Sequence, residues 1–416
     1  MASVRLNSAL NLVLASLILT LILFSSAAAQ SNSNTDATGG QIAGPDSVGA
    51  QLQSDEDSRE GFVLGNRITK LKRRLEAMTG LHIGLDYNVL FQHSEGIPAA
   101  SGVARIYGQW NIGGDRSNLG TLTFRFEDRH LLNNITPHQL GPAIGYAGST
   151  AGSFNNKGKM VTSFYWSKNF ANNRLLVAAG VMNPTQIVNT HVFSSAWNDF
   201  VNQSILEEET IPYPGAGIGL VGRVYVTKKL YLQATVSDAN GDPADPKNFW
   251  SSFAKTKEYL TSVEFGYSDR NHDWFGSNIH LTAWHMDARK ARNLPPGKGL
   301  AFSGNLVVGD RWVPFLRAAM SEGGNAKYTR SVTAGVGLNS KKRGAGRSAI
   351  GLNWSRPSPD FYGPGLRDQL TIELYTRRSV LGSLVLTPSI QVIKNPALAP
   401  TKDWLGVIGF RARVKF

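Results

Sequence analysis

The amino-acid sequence predicts an all-β fold, an antiparallel transmembrane β-barrel of about sixteen strands with a short N-terminal amphipathic helix. Three observations predict this fold. Apolar and polar residues alternate with a period of two over most of the chain, long connections alternate with short ones, and the last segment has one apolar and one basic face. The predicted outer-membrane barrel occupies residues 81–416.

Residues 1–29 have the pattern of a secretory signal peptide. Arg5 provides the charged first region, Leu10–Phe24 the apolar core, and Ala27–Ala29 the small residues of a cleavage site. A membrane anchor is the alternative, but the apolar run is short for a helix that spans a bilayer. The mature protein is therefore expected to start near Gln30.

Two further segments precede the predicted barrel. Residues 30–60 are rich in Ser, Asn, Gly, Asp and Gln and contain few large apolar residues, so they predict a flexible polar leader. Residues 61–80 predict one amphipathic helix, because apolar residues recur at steps of four and three: Leu64, Ile68, Leu71, Leu75 and Met78. Gly80 is a typical signal for the end of such a helix.

Strand periodicity begins directly after Gly80. In "LHIGLDYNVLFQH" apolar residues alternate with polar residues, apart from Leu90, and "TLTFRFEDRH" and "DQLTIELYTRR" repeat the pattern. Several such segments reach the roughly 9 to 11 residues that a tilted strand needs to cross a bilayer. These segments predict strands with one face toward lipid and the other toward a polar lumen.

The connections between the predicted strands alternate in length. The long ones are His93–Ala99, His130–Gly158, Asn183–Gly215 and Asp238–Lys257, whereas those between them are short, such as "GGDRSN", "NFANNR" and "TKK". Tight turns on the periplasmic side and longer loops outside are typical of a transmembrane barrel. A soluble β-sandwich has no reason to keep this order along the whole chain.

The C-terminal segment "WLGVIGFRARVKF" fits the same interpretation. Ile408, Phe410, Ala412, Val414 and Phe416 share one face, which no charge interrupts. Its other face carries Arg411, Arg413 and Lys415. This strand can therefore place one side against lipid and the other toward a polar lumen or the periplasmic mouth.

A glycine motif in the middle of the chain has the spacing of a dinucleotide-binding turn. Gly217, Gly219 and Gly222 form G-x-G-x-x-G, but no helix signal follows them, and Val221–Val236 has the composition of a strand. The motif therefore predicts a strand, with Gly217 and Gly219 leaving space on the lumen side.

Composition excludes several classes of function. The chain has no cysteine, which excludes a disulfide scaffold, thiol catalysis and cysteine metal sites. Its formal net charge is +13, but the signal peptide argues against nucleic acid as a partner. We expect no cofactor and no resident metal.

Several longer stretches together resemble one known family. They are "LTFRFEDRH" from Leu122, "VSDANGDPADP" from Val236, "VEFGY", "LTAWHMD", "RWVPFLRA", "GLNWSRPSPDFYGPGLRDQLTIELY" from Gly351, and "LTPSIQVIKNPALAP" followed by "GFRARVKF". In this order they resemble the carbohydrate-selective porins of bacterial outer membranes, the OprB family. The resemblance extends from about Leu81 to Phe416.

The resemblance implies a sixteen-stranded outer-membrane barrel that passes sugars down their gradient and is not an enzyme. It also implies a long third external loop folded into the pore, and an N-terminal helix at the periplasmic mouth. The expected partners are sugars as transported solutes, outer-membrane lipid and lipopolysaccharide, and the reading is compatible with a homo-oligomer. The basic helix and the basic "KKRGAGR" turn at Lys341 depart from the family pattern and leave the preferred solute open.

The constriction of a sugar-selective pore needs polar and charged groups for hydroxyls and an aromatic face for the ring. Residues that point inward by the alternation, or that lie in the long loop, provide such groups: Arg105, Tyr107, Arg125, Glu127, Arg129, Trp197 and Asp199. Gln109, Asn198 and Asn202 lie near them in sequence. The alternative is that inward arginine and glutamate side chains only pair with one another across the wall.

Two alternatives concern the function itself. The basic charge also fits a general or anion-favouring porin, and a barrel-type enzyme is a remote possibility without a visible catalytic set.

Asp238, Asn240 and Asp242 have the first spacing of a calcium loop, but Pro243 and Phe249 stand where that loop needs Gly and Glu. We expect a turn-rich external loop there.

Overall fold

The computed structural model describes residues 42–57, 63–113, 119–269, 275–309, 311–341, 346–380 and 383–416. The predicted signal peptide, residues 1–29, lies outside the described residues, as do residues 30–41 and 58–60 of the predicted leader and residues 61–62 of the predicted helix. Parts of the "GGDRSN" and "KKRGAGR" segments also lie outside them.

Sixteen strands and six helices of the α type are described. The strands are β1 Leu81–Ser94, β2 Ile97–Asn111, β3 Thr121–Leu131, β4 Gly158–Phe170, β5 Leu175–Met182, β6 Gly217–Tyr225, β7 Leu230–Asp238, β8 Tyr259–Ser268, β9 Asn278–Met286, β10 Gly297–Asn305, β11 Trp312–Gly323, β12 Tyr328–Asn339, β13 Gly346–Pro357, β14 Gln369–Ser379, β15 Leu384–Lys394 and β16 Trp404–Lys415. The helices are α1 Val48–Asp57, α2 Val63–Thr79, α3 Pro137–Ile144, α4 Gln203–Leu206, α5 Phe249–Ser251 and α6 Pro359–Tyr362.

The strands form one closed antiparallel barrel. Each strand pairs with its neighbours in sequence, and β1 pairs with β16, as in Tyr87 opposite Val414. Closure removes the free strand edges that would otherwise leave backbone groups unpaired. The all-β barrel that the sequence predicts, with sixteen strands, is confirmed. No helix in the described part of the chain is long and apolar enough to cross a membrane.

The two faces of the strands differ as the sequence alternation predicts. In β16, Ile408 and Phe410 are exposed, whereas Arg411 and Arg413, which follow them, are buried. Large apolar side chains are exposed on the outer face of many other strands: Leu85, Ile106, Phe126, Leu220, Phe265, Leu281, Leu300, Ile350, Leu374 and Ile390. An apolar exterior around a polar interior is the surface distribution of a transmembrane barrel.

The connections differ at the two ends of the barrel. The end that carries residues 132–157, 183–216 and 239–258 is called the loop end, and the end that carries residues 171–174 and 226–229 the turn end. The first connection is an exception to the predicted pattern. Residues assigned to a long connection, His93–Ala99, extend the two strands instead, so that β1 and β2 are joined only by Glu95 and Gly96, both at positive φ.

Two connections fold into the barrel from the loop end. Loop L2, residues 132–157, contains α3, which begins with a capping box: Thr136 Oγ1 accepts from Gln139 N at 3.3 Å, and Gln139 Oε1 accepts from Thr136 N at 3.0 Å. Loop L3, residues 183–216, packs on the inner wall in an apolar cluster in which L3 contributes Val192, Phe193, Phe200 and Ile205 and the wall Val313, Phe315, Ala349 and Tyr375. Both loops occupy the lumen.

Part of the predicted flexible leader also lies inside the barrel. Residues 42–57 include α1, and Ile42, Val48, Gln51 and Asp55 are each at most 2% exposed. This differs from the flexible leader expected for residues 30–60. The composition is too polar for an apolar core, but the lumen of this barrel offers polar partners instead.

The amphipathic helix predicted for residues 61–80 corresponds to α2. It contacts β1, and Lys72 Nζ donates to the backbone oxygen of Phe416. The start of β1 and Phe416 both lie at the turn end, so α2 flanks this end of the barrel. Leu71 and Met78 on α2 are 68% and 83% exposed.

The glycine motif is part of a strand, as predicted. Gly217, Gly219 and Val221 on β6 are buried, whereas Leu220 is exposed. A Cβ atom on Gly219 would lie 2.9 Å from the backbone oxygen of Val236 and 3.2 Å from Met182 Cε. The inward glycines thus let neighbouring groups approach closely.

Candidate functional site

Loop L3 meets the wall of the barrel at an arginine and a tryptophan. The guanidinium carbon of Arg105, on β2, lies 4.1 Å from the centre of the Trp197 ring, and the Trp197 and Phe154 ring centres are 5.5 Å apart. A guanidinium over an indole face is a favourable cation–π arrangement. Trp197 is only 1% exposed, so this contact anchors L3 inside the lumen.

Arg105 is also the centre of a buried ionic network. Its Nε donates to Asp86 Oδ1 at 2.8 Å, and Arg413 Nε donates to Asp86 Oδ2 at 2.8 Å. Tyr107 donates to Asp55 of α1, and Arg413 Nη2 lies 3.1 Å from the same carboxylate. Each buried charge therefore has a partner of opposite sign, as burial requires.

Arg125, Glu127 and Arg129 form a second group along β3. Glu127 lies between the two cations, 3.2 Å from Arg125 Nε and 2.6 Å from Arg129 Nη2. Arg125 Nη1 donates to the backbone oxygen of Asp46 at 2.8 Å. The side chain of Arg129 is 13% exposed, whereas those of Arg125 and Glu127 are almost completely buried.

Asp199 lies apart from these two groups, on another side of L3. It accepts a hydrogen bond from Tyr375 at 2.8 Å and pairs with Arg347 at 3.1 Å. Arg413 Nη1 holds the neighbouring residue, donating to Asn198 Oδ1 at 2.9 Å. Hydrogen bonds and ion pairs with the wall therefore hold L3 on two sides.

The seven predicted residues are thus all on or against the inner wall, but they differ in accessibility. Six of them are at most 3% exposed and are in contact with other protein groups, Trp197 through its ring alone: Arg105, Tyr107, Arg125, Glu127, Trp197 and Asp199. Arg129 is the member that reaches open space. The other charged members, Arg105, Arg125, Glu127 and Asp199, are held in ion pairs. This is the alternative that the sequence left open, in which inward charges pair with one another across the wall.

The N-terminal segment lies beside L3 in the same network. Gln51 Nε2 donates to Ser195 Oγ at 3.3 Å, and Arg223 Nη2 donates to the backbone oxygen of Ile42 at 2.9 Å. Toward the turn end, Lys415 Nζ donates to the backbone oxygen of Ser54 at 3.2 Å. Residues 42–57 are therefore seated in the lumen by at least three different strands or loops.

An open cavity of about 360 Å³ lies at the loop end, above this network. L2, L3 and the shorter connections of the loop end enclose it, and we call it the vestibule. Its charged lining residues are Arg129, Lys157, Glu207, Glu209, Arg289 and Lys327. Burial, with Glu209 as the next contribution, raises the pKa of Glu207 to about 7.

Residues 110–296 match the family model described as "Carbohydrate-selective porin, OprB family". This match falls within the region in which sequence motifs resemble that family. Over these residues the chain is similar to the OprB porins. It is a sugar-selective channel and not an enzyme, because the family consists of channels. No curated protein matches the chain in sequence.

Solved porin structures share the fold of this chain. A high-pH structure of Pseudomonas putida OprB has 13% sequence identity and a TM-score of 0.66, and the alignment covers 83% of this chain and 96% of that one. A low-pH structure of Pseudomonas putida OprB has 11% identity and a TM-score of 0.50, with 84% and 96% coverage. At these identities the likeness concerns the fold.

Several residues of the lumen belong to this site although the sequence pattern did not assign them to it. Asp86, Asp55 and Arg413 join the network around Arg105, and Arg347 holds Asp199. The inward faces of β1 and β16 contained the signal for Asp86 and Arg413, but Asp55 lies in a segment without strand periodicity. Its position could not be found from the pattern.

The loop with calcium-like spacing forms turns of its own. Asp238 Oδ1 accepts from Asn240 N at 2.9 Å, and Asp242 Oδ1 accepts from Ala244 N at 3.0 Å. Asp and Asn side chains commonly stabilise turns in this way. Within the described residues no group of three or more His, Asp or Glu side chains is placed to hold a metal ion.

Proposed function

We propose that this sugar-selective porin lies in the bacterial outer membrane and lets small sugars diffuse passively from the loop end to the turn end. The loop end would face the outside and the turn end the periplasm, which is the usual orientation of such barrels. The exposed apolar face of the strands supports contact with outer-membrane lipid. Contact with lipopolysaccharide and association into a homo-oligomer remain predictions.

The boundaries of the chain belong to the same proposal. Residues 1–29 would be removed as a signal peptide on export, and residues 81–416 would form the membrane-embedded unit. The helix predicted for residues 61–80 would lie at the periplasmic mouth. The contact between Lys72 and Phe416 at the turn end supports that position.

The observation that carries the proposed route is the anchoring of L3 across the lumen by Arg105 and Trp197. We propose that the predicted residues set the width of the pore here: Arg105, Tyr107, Arg125, Glu127, Arg129, Trp197 and Asp199. Arg129 would contact the passing sugar directly, and the buried members would hold the constriction in shape. Fixed polar groups of this kind replace the water around a solute while allowing its release.

The test is the current through single channels in a planar bilayer, titrated with glucose and with a disaccharide. We expect a saturable decrease of the current, because a bound sugar obstructs the ions. The variant Trp197→Ala removes the anchor of L3 and should increase the open-channel current and weaken the sugar block. An open current that no sugar affects would contradict sugar selectivity.

A general anion-favouring porin is the second candidate. It is supported by the number of arginines on the inner face: Arg105, Arg125, Arg223, Arg317, Arg411 and Arg413 are all fully buried there. The reversal potential under a salt gradient separates the two candidates. Strong anion selectivity without any sugar block would favour the second.

A further inference from the structure

The vestibule at the loop end has more positive than negative lining charge. Its lining includes four cations and two carboxylates. Lys327 pairs with Glu209, and Arg129 pairs with Glu127 at the bottom of the cavity. Lys157, Arg289 and Glu207 remain after these pairs are removed.

Lys157 and Arg289 have no ion pair with a carboxylate in the part of the chain that the structure describes. Arg289 is 6% exposed, and its Nη2 donates to the backbone oxygen of Gly324 at 2.8 Å. Its Nε is buried without a hydrogen-bond partner. A buried guanidinium with an unused donor is costly, and a bound anion would remove this cost.

The charges of the neighbouring groups also leave the cations of the vestibule without a full counter-charge. Burial and the charge of Arg129 lower the pKa of Lys157, and the carboxylate of Asp242 offsets only part of this effect. Glu207 does not supply a full counter-charge, because its pKa is raised to about 7. Near neutral pH the vestibule therefore keeps a surplus of positive charge.

The remaining lining suits a sugar. Hydroxyl and amide groups of Ser153, Asn155, Asn183 and Thr185 face the same space, and Tyr213 and Phe361 provide aromatic surface. Such groups can bind hydroxyls and the apolar face of a sugar ring. The volume of about 360 Å³ falls within the range of small-molecule sites.

We propose that the vestibule is a docking site for monosaccharides that carry a carboxylate, with Lys157 and Arg289 as the cationic groups that favour them over neutral sugars. This inference rests on the proposed function, because the bound sugar then enters the same pore. It names a substrate class, acidic sugars, that the family description does not distinguish.

Glucose and glucuronate are the matched probes, since they differ only in a carboxylate in place of one hydroxymethyl group. Each is added on the loop side of single channels in a planar bilayer, and the concentration for half-maximal block is measured. We expect glucuronate to block at a roughly tenfold lower concentration than glucose, the size of one charge-assisted contact. This comparison uses the unaltered protein.

The double variant Lys157→Gln and Arg289→Gln should bring the two half-blocking concentrations together while leaving the glucose value nearly unchanged. Its matched control is Lys159→Gln with Lys290→Gln. This control removes two exposed lysines that lie close in sequence to Lys157 and Arg289 but do not line the cavity. The control should keep the preference for glucuronate.

Three results would overturn the inference. The first is equal block by the two sugars in the unaltered protein, and the second is an unchanged preference for glucuronate in the double variant. The third is an equal loss of that preference in the control, which would mean that general surface charge causes it. Block by glucose with no preference for glucuronate would refute the acidic-sugar site alone. No block by either sugar would instead refute the proposed sugar function.

Discussion

Asp55 of the N-terminal helix lies 3.1 Å from Arg413 of the last strand, at atoms Oδ1 and Nη2. Lys415 Nζ, two residues further along the strand, is 3.5 Å from the same oxygen. The N-terminal segment and the last strand thus meet inside the lumen, and this contact holds residues 42–57 in the path between L3 and the turn end.

Asp55→Ala should loosen residues 42–57 and raise the single-channel conductance. Removing one partner of a buried ion pair costs about 3–5 kcal/mol, because the other charge remains buried. Conductance is measured together with protection of residues 42–57 from a protease. Gln53→Ala is the control, since that side chain is half-buried on the same helix. An unchanged conductance with the segment released would show that the segment does not narrow the pore.

Tyr375→Phe should destabilise the position of L3 by about 1.5–3 kcal/mol, the usual contribution of a hydrogen bond to a charged group. The tyrosine donates to Asp199 at 2.8 Å, and Arg347 would keep the carboxylate partly satisfied. The free energy of unfolding is measured by urea titration in lipid vesicles. Tyr362→Phe, outside this contact, provides the comparison. Equal stability of the two variants would mean that the bond to Asp199 has no net effect.

Ion selectivity should change as Glu207 titrates near pH 7. Because burial and Glu209 raise its pKa to about 7, Glu207 is mostly neutral at pH 6 and mostly charged at pH 8. Lys327 and Gln203 face the same carboxylate, and His138 in the same cavity, with a pKa lowered to about 4 by burial, stays neutral over this range. Anion preference should therefore increase as the pH falls from 8 to 6.

Reversal potentials at the two pH values measure this change. In Glu207→Gln the difference should disappear, whereas Glu322→Gln should retain it, since that side chain is 82% exposed and pairs with Lys298. A pH effect that survives in Glu207→Gln would assign the titration to another group.

Leu281→Arg should destabilise the barrel in vesicles by about 2–4 kcal/mol, the cost of a cation on the lipid face near the middle of the bilayer. Leu281 lies in the middle of β9 and is 51% exposed. Val226→Arg, in a turn at the barrel end, should cost only about 0–1 kcal/mol. Urea titration in vesicles measures both. Equal costs would contradict the assignment of the outer face to lipid.

Strand faces were predictable because a period of two specifies them locally. The alternation predicted that Arg105, Tyr107 and Arg125 point inward, and all three do. The first connection was misplaced because Pro98 and the small residues after it obscure the alternation at the start of β2. Partners across the lumen could not be predicted, since a pattern within one strand carries no information about which distant residue faces it.

The buried position of α1 was the largest departure from prediction. Ser47, Gln51 and Asp55 give this segment the composition of a chain without a core of its own. Asp55 accepts from Tyr107 and Arg413, and Gln51 donates to Ser195, all far away in sequence. Ser47 accepts from Ala50 N at the start of α1. Rules based on composition assume an apolar interior and therefore predict that polar segments stay outside. A polar lumen instead favours the burial of polar segments.

The meeting of Asp55 with Arg413 also sets an order of assembly. The N-terminal segment is synthesised first, but two of the cations that hold it are among the last residues of the chain, on the strand that closes the barrel against β1. We expect the segment to reach its final place only when that closure supplies them. Seating of residues 42–57 is thus a late folding event, and its protection from proteases would report that barrel closure is complete.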